Sequence, residues 1–154
     1  MPKVNGGLES DVSDHEIVSS RVFDAPRERV FDAWTDPVRL ARWWGPKGFT
    51  NTFHEFDLRP GGHWRFTMHG PDGTDYQNES VFVEIVKPER IVFDHVSQHL
   101  FRAIATFEDI EGNTKVTFRM RHESAEDCER VKEFVVPANE QNFDRLEAEL
   151  TRMV

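Results

Sequence analysis

Hydrophobic positions change period twice along this chain. Residues 1–14 are polar and rich in Gly, Ser and Asp, and they predict a loose tail. Glu16–Phe23 predicts a strand with Ile17, Val18, Val22 and Phe23 as its apolar residues. Helical spacing follows. Pro26 suits the first turn of a helix, where its missing N–H costs nothing, and Val30, Phe31 and Trp34 recur on one face. Asp36-Pro37 repeats the start signal, an N-cap followed by proline, for a second short helix that buries Leu40, Trp43 and Trp44. Gly45-Pro46 stops it. From Thr52 to His122 the period becomes two: Trp64, Phe66 and Met68 alternate with His63, Arg65, Thr67 and His69, and Val116, Phe118 and Met120 with Lys115, Thr117, Arg119 and Arg121. Turns fall at Pro60-Gly61-Gly62, Pro71-Asp72-Gly73, Lys87-Pro88-Glu89 and Glu111-Gly112-Asn113, which divides this region into six strands. The helical period then returns. Ser124-Ala125-Glu126-Asp127 resembles a capping box, Cys128, Val131, Phe134 and Val135 make one apolar stripe, and Phe143, Leu146, Leu150 and Met153 make another. Pro137, between the stripes, is expected to kink or briefly interrupt the helix.

One strand, two short helices, six strands and a long helix define an α+β domain over residues 15–154. An antiparallel sheet with one apolar face needs a cover, and only the terminal helix is long enough to supply it. The pattern therefore predicts a curved antiparallel sheet of about seven strands wrapped round a long C-terminal helix, with two short helices after the first strand. Large inward side chains leave room for a cavity between helix and sheet.

Composition narrows the partners. Net charge is −9, from 19 basic and 28 acidic residues, so a phosphate backbone or an anionic membrane would be repelled, and no nucleic-acid partner is expected. Thirteen Phe and four Trp against one Tyr make the apolar part strongly aromatic, which suits wide inner faces. No apolar run approaches the ~20 residues of a membrane span. A single cysteine, Cys128, allows no intrachain disulfide, and the amino terminus has no signal-peptide core, so a cytoplasmic location is expected.

Several segments carry a family resemblance: "APRERVFDAWTDPVRLARWWGP", "FDLRPGGHWRFTMHGPDGT", "EIVKPERIVFDH" and "NFDRLEAEL". In this order, over Glu16–Leu150, the chain resembles the START-like, helix-grip superfamily, and within it the proteins similar to the carboxy-terminal domain of the activator of heat-shock protein 90 ATPase. The resemblance implies a helix-grip fold. It also implies a role among those of superfamily relatives, which hold lipids or hormones between helix and sheet, or cyclise and dehydrate polyketides. The eukaryotic activator relies on a further amino-terminal domain that nothing in this sequence resembles, so chaperone binding ranks behind ligand binding and enzyme action. Two departures stand out: Ser80 where the family often has glycine, and Asn142-Phe143 where it often has Gly-Trp. Asn142 is expected to hold the helix further from the sheet, while Phe143 can still fill an aromatic slot.

The candidate ligand-binding residues are Trp44, Phe49, Trp64, Phe66, Met68, His95 and Phe143. Trp43, 100° from Trp44 on the helix, is the core member of that pair. Among seven histidines none pairs in a helical H-x3-H or in H-E-x-x-H, and His95 and His99, four apart, fall at a strand end and in a turn, so no metal site or cofactor is expected. His95 alternates with Ile91 and Phe93, which places it inward, and it is the candidate acid–base residue should the chain catalyse a reaction. His54 shares a face with Phe56 and Leu58, and Glu84, between Phe82 and Val86, is read as pairing with Arg90. Asp57 and Arg59 are read as holding the glycine turn through side-chain hydrogen bonds or an ion pair, and His63 and His69 as solvated. The expected partner is a small apolar molecule, with a chaperone and a homodimer as further possibilities.

Overall fold

The computed structural model describes residues 15–153; the tail expected over residues 1–14 lies outside them. Strand β1 (Glu16–Phe23) leads into helices α1 (Arg27–Thr35) and α2 (Pro37–Trp43). Strands β2 (Thr50–Phe56), β3 (His63–His69), β4 (Asp75–Val86), β5 (Arg90–His95), β6 (Phe101–Ile110) and β7 (Asn113–Arg121) follow, and α3 (Ala125–Arg152) ends the chain. All seven strands form one antiparallel sheet in the order β1-β7-β6-β5-β4-β3-β2. The last six strands are a simple meander, and β1 closes the far side against β7.

Alternation sets the two faces. Ile17 and Phe23 of β1, Ala103, Ala105 and Phe107 of β6, and Val116, Phe118 and Met120 of β7 are buried on the inner face. Val18 and Val22, read with them as apolar, lie on the outer face and are about half exposed. In β2 and β4 the alternation is broken by bulges. Register shifts between Phe53 and Glu55, where His54 is the extra residue. The bulge therefore turns Phe53 and Phe56 toward the core, and His54 is exposed instead of sharing their face. A second shift, between Phe82 and Glu84, leaves Glu84 partly exposed with its carboxylate 2.7 Å from Arg90, the pairing expected from sequence.

Local chemistry fixes the helices. Pro26 is the N-cap of α1, and its carbonyl accepts from Arg29 and Val30 N–H. Asp36 caps α2 as predicted, its side chain accepting from Val38 N–H at 3.0 Å. Ser124 caps α3 through Asp127 N–H at 3.1 Å. Pro137 does not interrupt α3, which runs unbroken for 28 residues. The carbonyl it leaves without an intrahelical donor belongs to Glu133, on the exposed side of the helix. Phe134 does not join the buried stripe: it lies about 100–120° round the helix from Cys128 and Val135 and is 71% exposed.

α3 docks across the sheet through Val135, Phe143, Leu146 and Leu150. Phe143 meets Phe23 edge-on at 5.5 Å. The fully buried carboxylate of Glu149 ties α3 to α2 and to its own end, with Arg42 at 3.3 Å, Arg39 at 3.6 Å and Arg152 at 2.6 Å. Asp57 and Arg59 pair at 2.8 Å beside the glycine turn, where a side chain on Gly62 would collide with the Asp57 carbonyl.

Trp43 is 1% exposed and donates its indole N–H to the Ala33 carbonyl at 2.9 Å. Trp43→Ala is expected to lower unfolding free energy by about 3–5 kcal/mol, against under about 0.5 kcal/mol for Val38→Ala on the exposed face of the same helix. Urea denaturation followed by circular dichroism measures both.

Candidate functional site

The sheet and α3 part at one end, leaving a cleft of about 420 Å³. Its walls come from four places. Trp44, Gly45, Pro46 and Phe49 belong to the α2–β2 connection; Met68 and Tyr76 to neighbouring β3 and β4; Phe134, Val135, Ala138, Asn139 and Asn142 to α3. Asn78, His95, Gln98, His99 and Met120 close the inner end. None of these lining residues is Asp, Glu, Lys or Arg, although 31% of the chain is charged.

The α2–β2 connection is held by its backbone. Arg145, on α3, donates to the carbonyls of Arg42, Trp44, Gly45 and Pro46 at 2.9–3.2 Å. Burial of its guanidinium among these uncharged acceptors pushes its pKa below the ordinary arginine value. Asn142 Oδ1 accepts from Gly45 N–H at 3.2 Å and Gln141 Oε1 from Lys47 N–H at 3.1 Å. Asn142 thus meets the connection rather than the sheet. Gly45 has φ +101°, and a Cβ there would press on Met68 and Phe49 at 3.3 Å.

Cross-strand register builds the inner end. Trp64 stands opposite Ser80, Ser80 opposite His95, and His95 opposite Phe101. Direct neighbours in an antiparallel sheet share a face, so this row crosses the concave side. His95 stacks on Phe101 at 4.8 Å. Its Nδ1 lies 2.7 Å from the His99 carbonyl and its Nε2 2.8 Å from Asn78 Oδ1. The carbonyl only accepts, so Nδ1 carries a proton. Burial pushes the imidazole below the ordinary histidine value, and the bond to His99 pushes the other way. Asn78 turns its Oδ1 to Nε2 and gives its NH2 to the Tyr76 carbonyl at 3.1 Å, so Nε2 donates to Asn78 only when the ring is protonated. Both nitrogens therefore face protein oxygens, and His95 must release Asn78 before Nε2 can exchange a proton with a bound molecule.

With this geometry in view, comparison with known proteins is direct. Residues 24–151 match the family described as Activator of Hsp90 ATPase homolog 1-like protein. The chain belongs to that family. No curated protein matches it. Among solved structures, an Arthrobacter aurescens protein determined by solution NMR is 28% identical with TM-score 0.84, covering 92% of this chain and 89% of that one. A Mycobacterium smegmatis protein is 25% identical with TM-score 0.79, covering 90% and 91%. A Nitrosomonas europaea protein, 20% identical with TM-score 0.84 and covering 92% and 97%, shares the fold. The helix-grip architecture is thus common to this member of the Hsp90 activator-like family and its structural neighbours. No described helix is long and apolar enough to cross a membrane.

Four of the seven residues singled out in the sequence, Trp44, Phe49, Met68 and His95, come together on the cleft wall. Trp64, Phe66 and Phe143 are packed in the core behind it, 2–3% exposed. The sequence reading missed Asn78, Met120, Asn139, Asn142 and His99 as lining residues. Three of these carried a signal. Asn78 shares the inner face with Ser80, Met120 alternates with Phe118, and Asn139 lies one helical turn before Phe143.

Arg145→Gln removes the charge and the planar fork that hold the connection. Unfolding free energy is expected to fall by about 2–3 kcal/mol, with faster amide exchange at residues 44–47. Arg145→Lys should recover less than half of the loss, because an ammonium cannot fork among several carbonyls. Urea unfolding and hydrogen exchange report the two effects.

Proposed function

We propose that the cleft binds a small, uncharged amphipathic molecule. The observation that carries this reading is the lining: apolar and aromatic walls, a handful of polar side chains at the inner end, and no formal charge. A carboxylate or phosphate would lose its hydration there with no cation to replace it, and an ammonium would find no anion. A neutral molecule with an aromatic or alicyclic body loses only apolar hydration. Its hydroxyl or carbonyl oxygen reaches Asn78, Asn139 and His95.

In this reading the seven residues divide by depth. Trp44, Phe49 and Met68 contact the apolar body, and His95 meets the polar end. Trp64, Phe66 and Phe143 keep those side chains in place from behind. Membership of the family and the helix-grip fold are in keeping with ligand binding, and the proposed setting is the cytoplasm.

Nile red, a neutral solvent-sensitive dye, tests the proposal by fluorescence titration at pH 7.5. It should bind in a one-to-one ratio and be displaced by neutral hydroxylated aromatics at least tenfold more readily than by their carboxylate analogues. Ala138→Trp, which fills the cleft from the side of α3, should weaken binding at least tenfold while thermal unfolding stays within a few degrees. Unchanged dye affinity in a folded Ala138→Trp protein would place binding elsewhere.

A further inference from the structure

We propose that the seam of histidines at the inner end of the cleft is a proton-operated latch, which holds the Val96–Leu100 loop closed while neutral and releases it on acidification. The proposal adds regulation to the ligand-binding reading above.

The loop joins β5 to β6 and carries Gln98 and His99 into the cleft wall. Few contacts hold it. Val96 N–H donates to the Glu79 carbonyl at 2.9 Å, Glu79 N–H donates to Ser97 Oγ at 3.0 Å, and His95 Nδ1 donates to the His99 carbonyl at 2.7 Å. The loop is bent at Gln98, a non-glycine residue with φ +56°. Its remaining anchor is aromatic: the His99 ring lies 4.9 Å from His122 and 5.7 Å from Phe101, which stacks on His95.

That anchor is built for neutral rings. His122 is 3% exposed, with Nδ1 3.3 Å from the His15 carbonyl, and its Nε2 is buried without a hydrogen-bond partner. The Nε2 of His99 is buried and unpartnered too. A proton added at His99 Nε2 creates a buried N–H and a charge with no acceptor beside it. The surrounding charges are committed elsewhere. From α3, Asp127 pairs with Arg130 at 3.1 Å, and the two act on His99 in opposite directions. From the strands, Asp94 pairs with Arg102 at 2.7 Å and Arg121 with Glu16 at 2.8 Å. Glu123, just past β7, is exposed, and His15 meets the seam through its carbonyl. Burial holds His95 and His99 below the ordinary histidine value of 6.5, and the neighbouring His122 and His95 lower His99 further.

The sign follows from proton linkage. Once the loop opens, His99 regains water and its ordinary affinity for protons, so below about pH 6.5 the open state binds more protons than the closed one. Closure is fully favourable above that pH and weakens as pH falls below it. There is space for the movement, since a second hollow of about 420 Å³, lined by Val96, Leu100, Phe101 and His122, shares His95 with the cleft. Opening removes Gln98 and His99 from the cleft wall and frees His95 from its backbone partner, so a bound molecule loses part of its enclosure and the fixed orientation of His95.

The test is hydrogen exchange of the ligand-free protein at pH 7.5 and 5.5, corrected for intrinsic rates, beside Nile red affinity at both. In the wild type, opening of residues 96–100 should increase at least tenfold at pH 5.5 while Ala103–Phe107 stays protected. Dye affinity should fall at least fivefold. His99→Gln, which keeps a polar side chain but no titratable ring, should make both readings independent of pH. Equal loop protection at both pH values in the wild type, or pH dependence that survives His99→Gln, overturns the latch. Should His99→Gln not fold, a His99 NMR titration midpoint at or above 6.5 in the wild type overturns it as well. Absence of dye binding at pH 7.5 counts against the ligand-binding reading alone, because loop exchange is measured without ligand.

Discussion

Trp44 has to satisfy five aromatic neighbours at once, and that packing constraint organises the inner face of the sheet. Its ring lies 5.7 Å from Trp34, 5.6 Å from Trp43, 5.2 Å from Trp64, 6.3 Å from Phe93 and 6.1 Å from Phe118, in edge-on arrangements throughout. All four tryptophans of the chain are therefore one contiguous cluster that joins the helical pair to the sheet. Edge-to-face pairs contribute roughly 0.5–1.5 kcal/mol beyond area burial, and they also fix angles. The backbone of Trp44 is constrained as well. It ends α2 in an extended conformation, and its carbonyl accepts from Asn51 at 2.8 Å and from Arg145 at 3.2 Å. The end of one helix, the approach to β2 and the docking of α3 meet in one residue, and one side of the same ring is left for the cleft.

Most of the fold was legible because strict alternation and capping chemistry are local. β7 keeps its period from end to end and β6 keeps it from Phe101 to Phe107, and Asp36 and Ser124 cap the helices they were expected to cap. The misreadings share a cause. His54 is a bulge residue, and a bulge depends on the partner strand, so a period of two counted along one strand assigns it to the wrong face. Phe134 was grouped by its hydrophobicity, whereas its angle round the helix decides its exposure. Pro137 lost one hydrogen bond on the wet side of a helix already held by its buried stripe, and that loss did not break it.

The candidate site was half legible for a related reason. Aromatic side chains about a glycine-proline turn announce a pocket, which brought out Trp44 and Phe49, and strand alternation with Trp64 and Phe66 brought out Met68. The polar lining was hidden. Asn78 and Asn142 resemble solvated residues until the register of β3 with β4 and the docking of α3 turn them inward. His99 and His122 are far apart in sequence and come together only because β5, β6 and β7 end at the same level. Buried polar groups are specified by tertiary neighbours, and one-dimensional patterns seldom encode those neighbours.

The grip of α3 on the α2–β2 connection has an evolutionary consequence. Arg145 reads carbonyl oxygens, and Gln141 and Asn142 read amide hydrogens, so none of these bonds specifies a side chain in the connection. Positions such as Lys47 and Phe49 are free to vary while the connection keeps its place. Relatives with this clamp can exchange the chemistry at the mouth of the cleft by single substitutions, without rebuilding the wall that carries it.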